Sequence, residues 1–311
     1  MAAASIGSGD MTPRTPANEQ GGGGVANERR PEWLKVRLPT GPNFRDLVGV
    51  MRTRALHTVC EEARCPNIGD CWERRTATFL ILGNVCTRHC AYCAIAHGLP
   101  TELDAGEPER VADAVAAMGL RHVVVTSVDR DDLRDGGAGM FARTIRLVRE
   151  RVPRCSVEVL IPDFKGDARA LDTVLAAAPD ILNHNIETVP RLFPAVRSGG
   201  RYACSLELLA RAKARPGRWL TKSGMMVGLG ETRDEVVQTM ADLRAAGCDI
   251  LTIGQYLSPG KDYVPIARYY RPEEFASLKT DGLAMGFRHV ESGPLVRSSY
   301  HADEQAVAAA T

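Results

Sequence analysis

From residue 77 onward, short β-branched runs alternate with amphipathic stretches. The runs ATFLIL (77–82), HVVVTSV (122–128), SVEVLIP (156–162), DILNHNIE (180–187), KSGMMVGL (222–229) and ILTIGQYL (250–257) read as strands. Helical periodicity fills the intervals at 107–119, 136–151, 167–178, 202–214, 232–247 and 271–286. In DEVVQTMADL, Val236, Val237, Met240 and Leu243 share one face, the spacing of a helix laid on a sheet.

Six repeats of β then α imply a parallel sheet with helices outside. Nearly continuous apolar strands such as HVVVTSV fit burial on both faces. A barrel or partial barrel and an open doubly wound sheet both satisfy this pattern. No G-x-G-x-x-G follows the first strand, which weakens the dinucleotide-binding form of the open sheet. The α/β barrel is favoured. The chain then divides into four parts: a disordered tail (1–28) rich in Gly, Ala, Ser and Pro, a Cys-bearing N-terminal extension (29–76) outside the βα rhythm, the barrel (77–286), and a C-terminal extension (287–311).

Composition narrows the function classes. The 39 basic and 38 acidic residues leave a net charge of +1, and no basic stripe marks a nucleic-acid footprint. No apolar run approaches the roughly 20 residues that span a bilayer. The tail lacks the apolar core of a secretory signal, and its acidic Asp10 and Glu19 are unlike a transit peptide. A cytoplasmic protein is expected.

Six of the nine cysteines are clustered, whereas Cys155, Cys204 and Cys248 lack cluster spacing and read as small buried apolar residues. Cys86, Cys90 and Cys93 follow the first strand as C-x3-C-x2-C, on the face where a βα barrel builds its active site. Structural zinc takes four ligands, so three thiolates suit a site with an open position. An all-sulfur set favours an iron–sulfur cluster with one unique iron. A zinc knuckle completed by His89 or Cys155 stays open on spacing alone. Cys60, Cys65 and Cys71 form a second triplet, C-x4-C-x5-C, and clustered thiolates of this kind imply metal. A zinc ribbon in which the two triplets share ligands is the alternative.

The C-x3-C-x2-C loop after strand one resembles the signature of the radical S-adenosylmethionine (SAM) superfamily. Together with the upstream C-x4-C-x5-C and the terminal RSSY (297–300), it is similar to the lipoyl synthase family over nearly the whole chain. The resemblance implies a partial (β/α)6 TIM-like barrel with both extensions, two 4Fe-4S clusters, and SAM. Cys86, Cys90 and Cys93 are implied as ligands of the cluster that binds SAM and generates the 5′-deoxyadenosyl radical. Cys60, Cys65 and Cys71 are implied to hold an auxiliary cluster with a serine of RSSY, Ser299, or its neighbour Ser298, as fourth ligand.

The implied reaction inserts sulfur at C6 and then C8 of an octanoyl chain amide-linked to a carrier lysine, with the auxiliary cluster consumed as donor. Implied SAM contacts are Tyr92 at the adenine, Ser127 or Asp129 at the end of strand two, and Asn185 and Glu187 at the end of strand four. Gly228, Gly230 and Glu231 after strand five, and Lys222 at its start, complete the set, and GQYL (254–257) lies by the adenine edge. Each is equally readable as turn or packing at the barrel mouth, and an acidic residue there as a helix cap. Implied partners are octanoylated lipoyl carrier domains (2-oxoacid dehydrogenase E2 subunits, the glycine cleavage H protein), an electron donor such as ferredoxin or flavodoxin, and an iron–sulfur carrier for cluster repair.

Two loops depart from the family expectation: the Arg-rich 197–223 segment, and YLSPGKDYVP (256–265) where a more basic stretch is expected. A methylthiotransferase-like radical SAM enzyme is the nearest other activity, and a non-catalytic zinc module the nearest non-enzyme.

Overall fold

The computed structural model describes residues 29–36, 41–63, 65–74 and 76–310. The expected tail, 1–28, lies outside them. A 3-10 turn (Glu32–Leu34) leads into α1 (Pro42–Thr53), β1 (His57–Thr58), α2 (Val59–Glu62) and α3 (Ile68–Glu73). Next come β2 (Thr78–Ile81), β3 (Val85–Cys86), β4 (Ala96–His97), α4 (Glu107–Met118), β5 (His122–Ser127), α5 (Ala138–Arg151), β6 (Ser156–Leu160) and α6 (Ala168–Leu175). The second half holds β7 (Ile181–Asn183), α7 (Phe193–Val196), α8 (Tyr202–Ala214), β8 (Leu220–Val227), α9 (Arg233–Ala245), β9 (Ile250–Gln255) and α10 (Pro272–Ala284). It closes with β10 (His289–Gly293) and α11 (Ala302–Ala310).

The main sheet runs β1-β2-β5-β6-β7-β8-β9-β10. Every pairing is parallel except β1 with β2, and β3 pairs with β4 in a separate two-stranded sheet. The sheet ends at β1 and β10, so the barrel is partial, as expected, with β10 of the C-terminal extension as a seventh parallel strand.

Alternation along the strands separates two environments. Val123, Val125, Val157, Val159 and Leu182 pack outward with helix residues such as Val115, Phe141 and Leu171 in one core. Their neighbours face the lumen, where Glu158, Asn183 and Lys222 are fully buried. Local signals fit the elements they bound. Gly119 stops α4 in the left-handed region (φ 62°), and Thr232 with Glu235 forms the capping box of α9. Among the described residues, no helix is long and apolar enough to cross a membrane.

Candidate active site

The first triplet sits in the loop that leaves β2. Leu82 and Gly83 turn the chain through left-handed conformations (φ 69° and 84°), and the Glu107 carboxylate accepts the Leu82 N–H at 2.6 Å. The loop then folds on itself: Gly98 N–H donates to the Cys86 carbonyl and Cys93 N–H to the Cys90 carbonyl, at 2.9 and 3.0 Å. The Cys86 sulfur receives backbone N–H groups from Arg88 and Asp129 at 3.4 and 3.3 Å.

All three thiols are shifted upward. Burial pushes Cys90 up to about 12 and Cys93 up to about 11, Cys86 adding to the latter by repulsion, and burial likewise raises Cys86. Such thiols stay protonated without a metal, and a metal bound there would have to displace those protons. Among the described residues, no three His, Cys, Asp or Glu side chains are arranged to hold a single metal ion. Thiolates that each take a separate iron of a cluster do not need that arrangement.

The ends of β5 and β7 bring most of the expected SAM contacts to this loop. Asp129 lies beside Cys86, with its carboxyl raised by burial against the pull of Arg88 and Arg197. Glu187 is also raised by burial, opposed by Arg197 and by hydrogen bonds from Asn185 and Tyr92. It holds a left-handed backbone, φ 69°, costly for a residue with a Cβ. Tyr92 packs near Val196, Leu229 and Tyr256, and its hydroxyl is held well above the usual range by burial and by Glu187. Ser127 Oγ, Asn185 Oδ1 and Thr188 Oγ1 are buried at these strand ends and make no hydrogen bond, and Asp129 Oδ1 makes none either but lies 3.5 Å from Arg88 Nε. Buried polar atoms are ordinarily satisfied, so this concentration fits a polar ligand such as SAM.

The remaining candidates are engaged elsewhere. Gly228 takes φ 101°, and a Cβ there meets Gln255 Nε2 at 2.1 Å and the Arg268 carbonyl at 2.6 Å. The Glu231 carboxylate accepts the Gly228 and Leu229 N–H groups at 2.6 and 2.9 Å, so it closes its own turn. Lys222 lies fully buried, its ammonium 2.9 Å from the Glu158 carboxylate.

Arg88, Asp131, Asp163 and Arg197 escaped the sequence reading. Arg88 pairs with both Asp131 and Asp163, and Arg197 donates to the Asn185 carbonyl at 2.6 Å while its charge faces Tyr92, Glu187 and Asp129. The signals available were the place of Arg88 between two cysteines and of Arg197 at the head of the Arg-rich segment.

The second triplet is a separate assembly. Cys60 ends up on α2, Cys71 on α3 and Cys65 between them. Burial pushes Cys60 up to about 11, with the charge of Cys65 adding, and burial plus repulsion from Cys60 and Cys65 raises Cys71 further. Residues 295–304 lie against this unit: Asn67 Nδ2 donates to the Leu295 carbonyl at 2.6 Å, and Arg74 Nη1 is 2.7 Å from His301 Nε2. The buried Arg297 guanidinium acts on Cys65, and the Tyr300 hydroxyl bonds Asp70 near Cys71. Ser298 and Ser299 are half-buried in the turn between these two anchors.

Cys155, Cys204 and Cys248 are buried in the core, as read from their spacing.

Comparison with known proteins extends this picture. The family model described as the radical SAM superfamily matches residues 80–243, and that of the N-terminal domain of lipoyl synthase matches residues 17–65. The chain is 65% identical over 276 residues to a lipoyl synthase of Rubrobacter xylanophilus, covering 89% of this chain and 86% of that one. It is 58% identical to the lipoyl synthase of Chloroflexus aurantiacus, over 94% of this chain and 97% of the relative. Among solved structures, methylornithine synthase superposes with a TM-score of 0.52 at 13% identity, over 88% of this chain and 89% of that one. Streptococcus suis SuiB bound to its precursor peptide gives 0.54 at 10% identity, over 80% and 52%. Likeness at that identity concerns the fold alone.

Proposed function

The chain belongs to the lipoyl synthase family of radical SAM enzymes, and we propose that its two cysteine triplets divide the work of that activity between them. The activity is SAM-dependent insertion of two sulfur atoms, at C6 and C8, into a protein-bound octanoyl-lysine. An unactivated C–H bond gives acid–base catalysis no handle, so a radical is required. In our reading Cys86, Cys90 and Cys93 hold one 4Fe-4S cluster, and Cys60, Cys65, Cys71 and Ser299 hold the other. When bound, SAM and the first cluster supply the 5′-deoxyadenosyl radical, and the second cluster supplies sulfide.

The protein's own part is to position and to shield. Ser127, Asp129, Asn185 and Glu187 offer polar atoms to SAM, with Tyr92 as an apolar wall that also donates to Glu187. Arg197 balances the carboxylates of Asp129 and Glu187 in a dry setting, where unpaired charge is strongly disfavoured. Gly228, Lys222 and Glu231 serve through the elements they stabilise. In the four-part division, 29–76 carries the second triplet, 77–286 is the core, 287–311 adds β10 to its sheet and the arm that docks on the second triplet, and 1–28 is a tail. Lipoyl carrier domains are the substrates. E2 subunits and the glycine cleavage H protein, a ferredoxin- or flavodoxin-type donor, a cluster-repair carrier and a cytoplasmic setting complete the proposal.

The observation that carries it is the docking of the RSSY arm on the second triplet, across 228 residues of sequence from Asn67 to Leu295. Metal and sulfide analysis should give about eight of each per chain. In dithionite-reduced enzyme, Cys60→Ala should still cleave SAM yet yield no lipoyl product, whereas Cys86→Ala should lose both activities. Normal product from Cys60→Ala removes the sulfur-donor assignment, and residual SAM cleavage in Cys86→Ala removes the radical-site assignment.

A further inference from the structure

We propose that Thr87 and Arg88 form a latch that fixes the first cysteine loop against the ends of β5 and β6, making Arg88 a positioning residue for that loop. The purpose of the latch rests on reading Cys86, Cys90 and Cys93 as metal ligands, but its geometry does not. Arg88 stands two residues from Cys86 and two from Cys90, and its side chain is 4% exposed. Its guanidinium engages two carboxylates as a fork. Nε and Nη2 donate to Asp131 at 2.8 and 2.9 Å, and Nη1 and Nη2 donate to Asp163 at 2.9 and 2.7 Å. Thr87 adds a second set, its N–H and its hydroxyl both reaching the Asp129 carbonyl at 2.9 Å while Asp131 N–H donates to its Oγ1 at 3.0 Å.

The far side of the latch is built at a cost. Phe164, Lys165 and Gly166 take successive left-handed conformations, φ 47°, 52° and 82°. That turn brings Lys165 N–H to Asp163 Oδ1 at 2.9 Å and leaves the carboxylate facing Arg88. Strain of this kind persists where the surroundings over-determine it. A buried ion pair is a weak source of net stability compared with apolar packing. What a planar fork between two carboxylates supplies is register, because only one placement of the loop satisfies all four bonds.

The test uses the reconstituted full-length holoprotein and three variants: Arg88→Lys, Asp163→Asn and Thr87→Val. Amide hydrogen exchange of peptide 84–94 should accelerate on the order of tenfold in Arg88→Lys and Asp163→Asn, and less in Thr87→Val. One of two phases of iron release to a chelator should accelerate with it, while peptide 295–304 and the other phase keep wild-type rates. Lysine retains the charge but not the fork, so it should not rescue. Wild-type exchange and release in the folded variants overturns the latch. If Arg88→Lys does not fold, Asp163→Asn and Thr87→Val decide the matter by the same readings. Wild-type two-phase release from Cys86→Ala would remove the metal assignment instead, with the exchange rates still judging the latch.

Discussion

Lys222 shows how far a single residue can be read from its neighbours in sequence. At the start of a strand bearing on the site it passes for a cofactor contact. Its neighbours in sequence do not show what it meets across the sheet: its ammonium pairs with Glu158, which also accepts from Asn183 at 3.0 Å. Burial raises the Glu158 carboxyl, but Lys222 and His122 more than offset it and hold it below the usual glutamate range. A depressed folded value means stability that is present above about pH 4.3 and is lost as pH falls through the folded value. Lys222→Met leaves the carboxylate buried without its cation, which costs about 3–5 kcal/mol at neutral pH. In that variant burial dominates and raises the carboxyl, so protonation relieves the penalty. The deficit against wild type should therefore narrow as pH drops from 7.5 to 5.5 in urea denaturation. A deficit of constant size across that range would contradict the account.

The elements of the barrel were the most legible part of the chain. All six βα units fall where hydrophobic periodicity places them, because the strands are buried on both faces and the helices carry one apolar face each. The two-residue strands β1, β3 and β4 are too short to have a period. β10, with the sequence HVESG, is too polar to stand out as a sheet strand, and its buried Val290 alone anchors it in the core. The turn from β8 to α9 was legible as glycine-rich, but the reason for its glycines was not. Gly228 needs both its left-handed φ and the room beside Gln255 and the Arg268 carbonyl, and the latter is backbone that cannot swing away. Gly228→Ala should therefore cost about 2 kcal/mol or more, seen as a fall in the thermal midpoint. An unchanged midpoint would mean that the turn relaxes without strain.

At the scale of the whole molecule, the segment bearing the second cysteine triplet is tied to the barrel by a C-terminal arm that the sequence marks only through RSSY. Its docking could not be read locally, because Asn67, Asp70 and Arg74 meet Leu295, Tyr300, His301 and Glu304 from the opposite end of the chain. Beyond the arm, α11 lays Ala306 and Ala309 against Ile181 and Ile250, whose strand neighbours Leu182 and Leu251 face outward. The helix thus covers the lumen at the N-terminal ends of β7 and β9. The two main cores contain no residue beyond Val290, so removal of residues 295–311 should spare the barrel while stripping the proposed auxiliary site of Ser299 and of the Arg297 charge beside Cys65. The expected deletion protein keeps the far-ultraviolet circular dichroism of a folded βα chain. Its iron should fall from about eight to about four per chain, with SAM still cleaved and no lipoyl product made. Retention of about eight irons with normal product would show that the arm is not part of the auxiliary site. A melted chain would instead make α11 a structural plug without which the open barrel collapses.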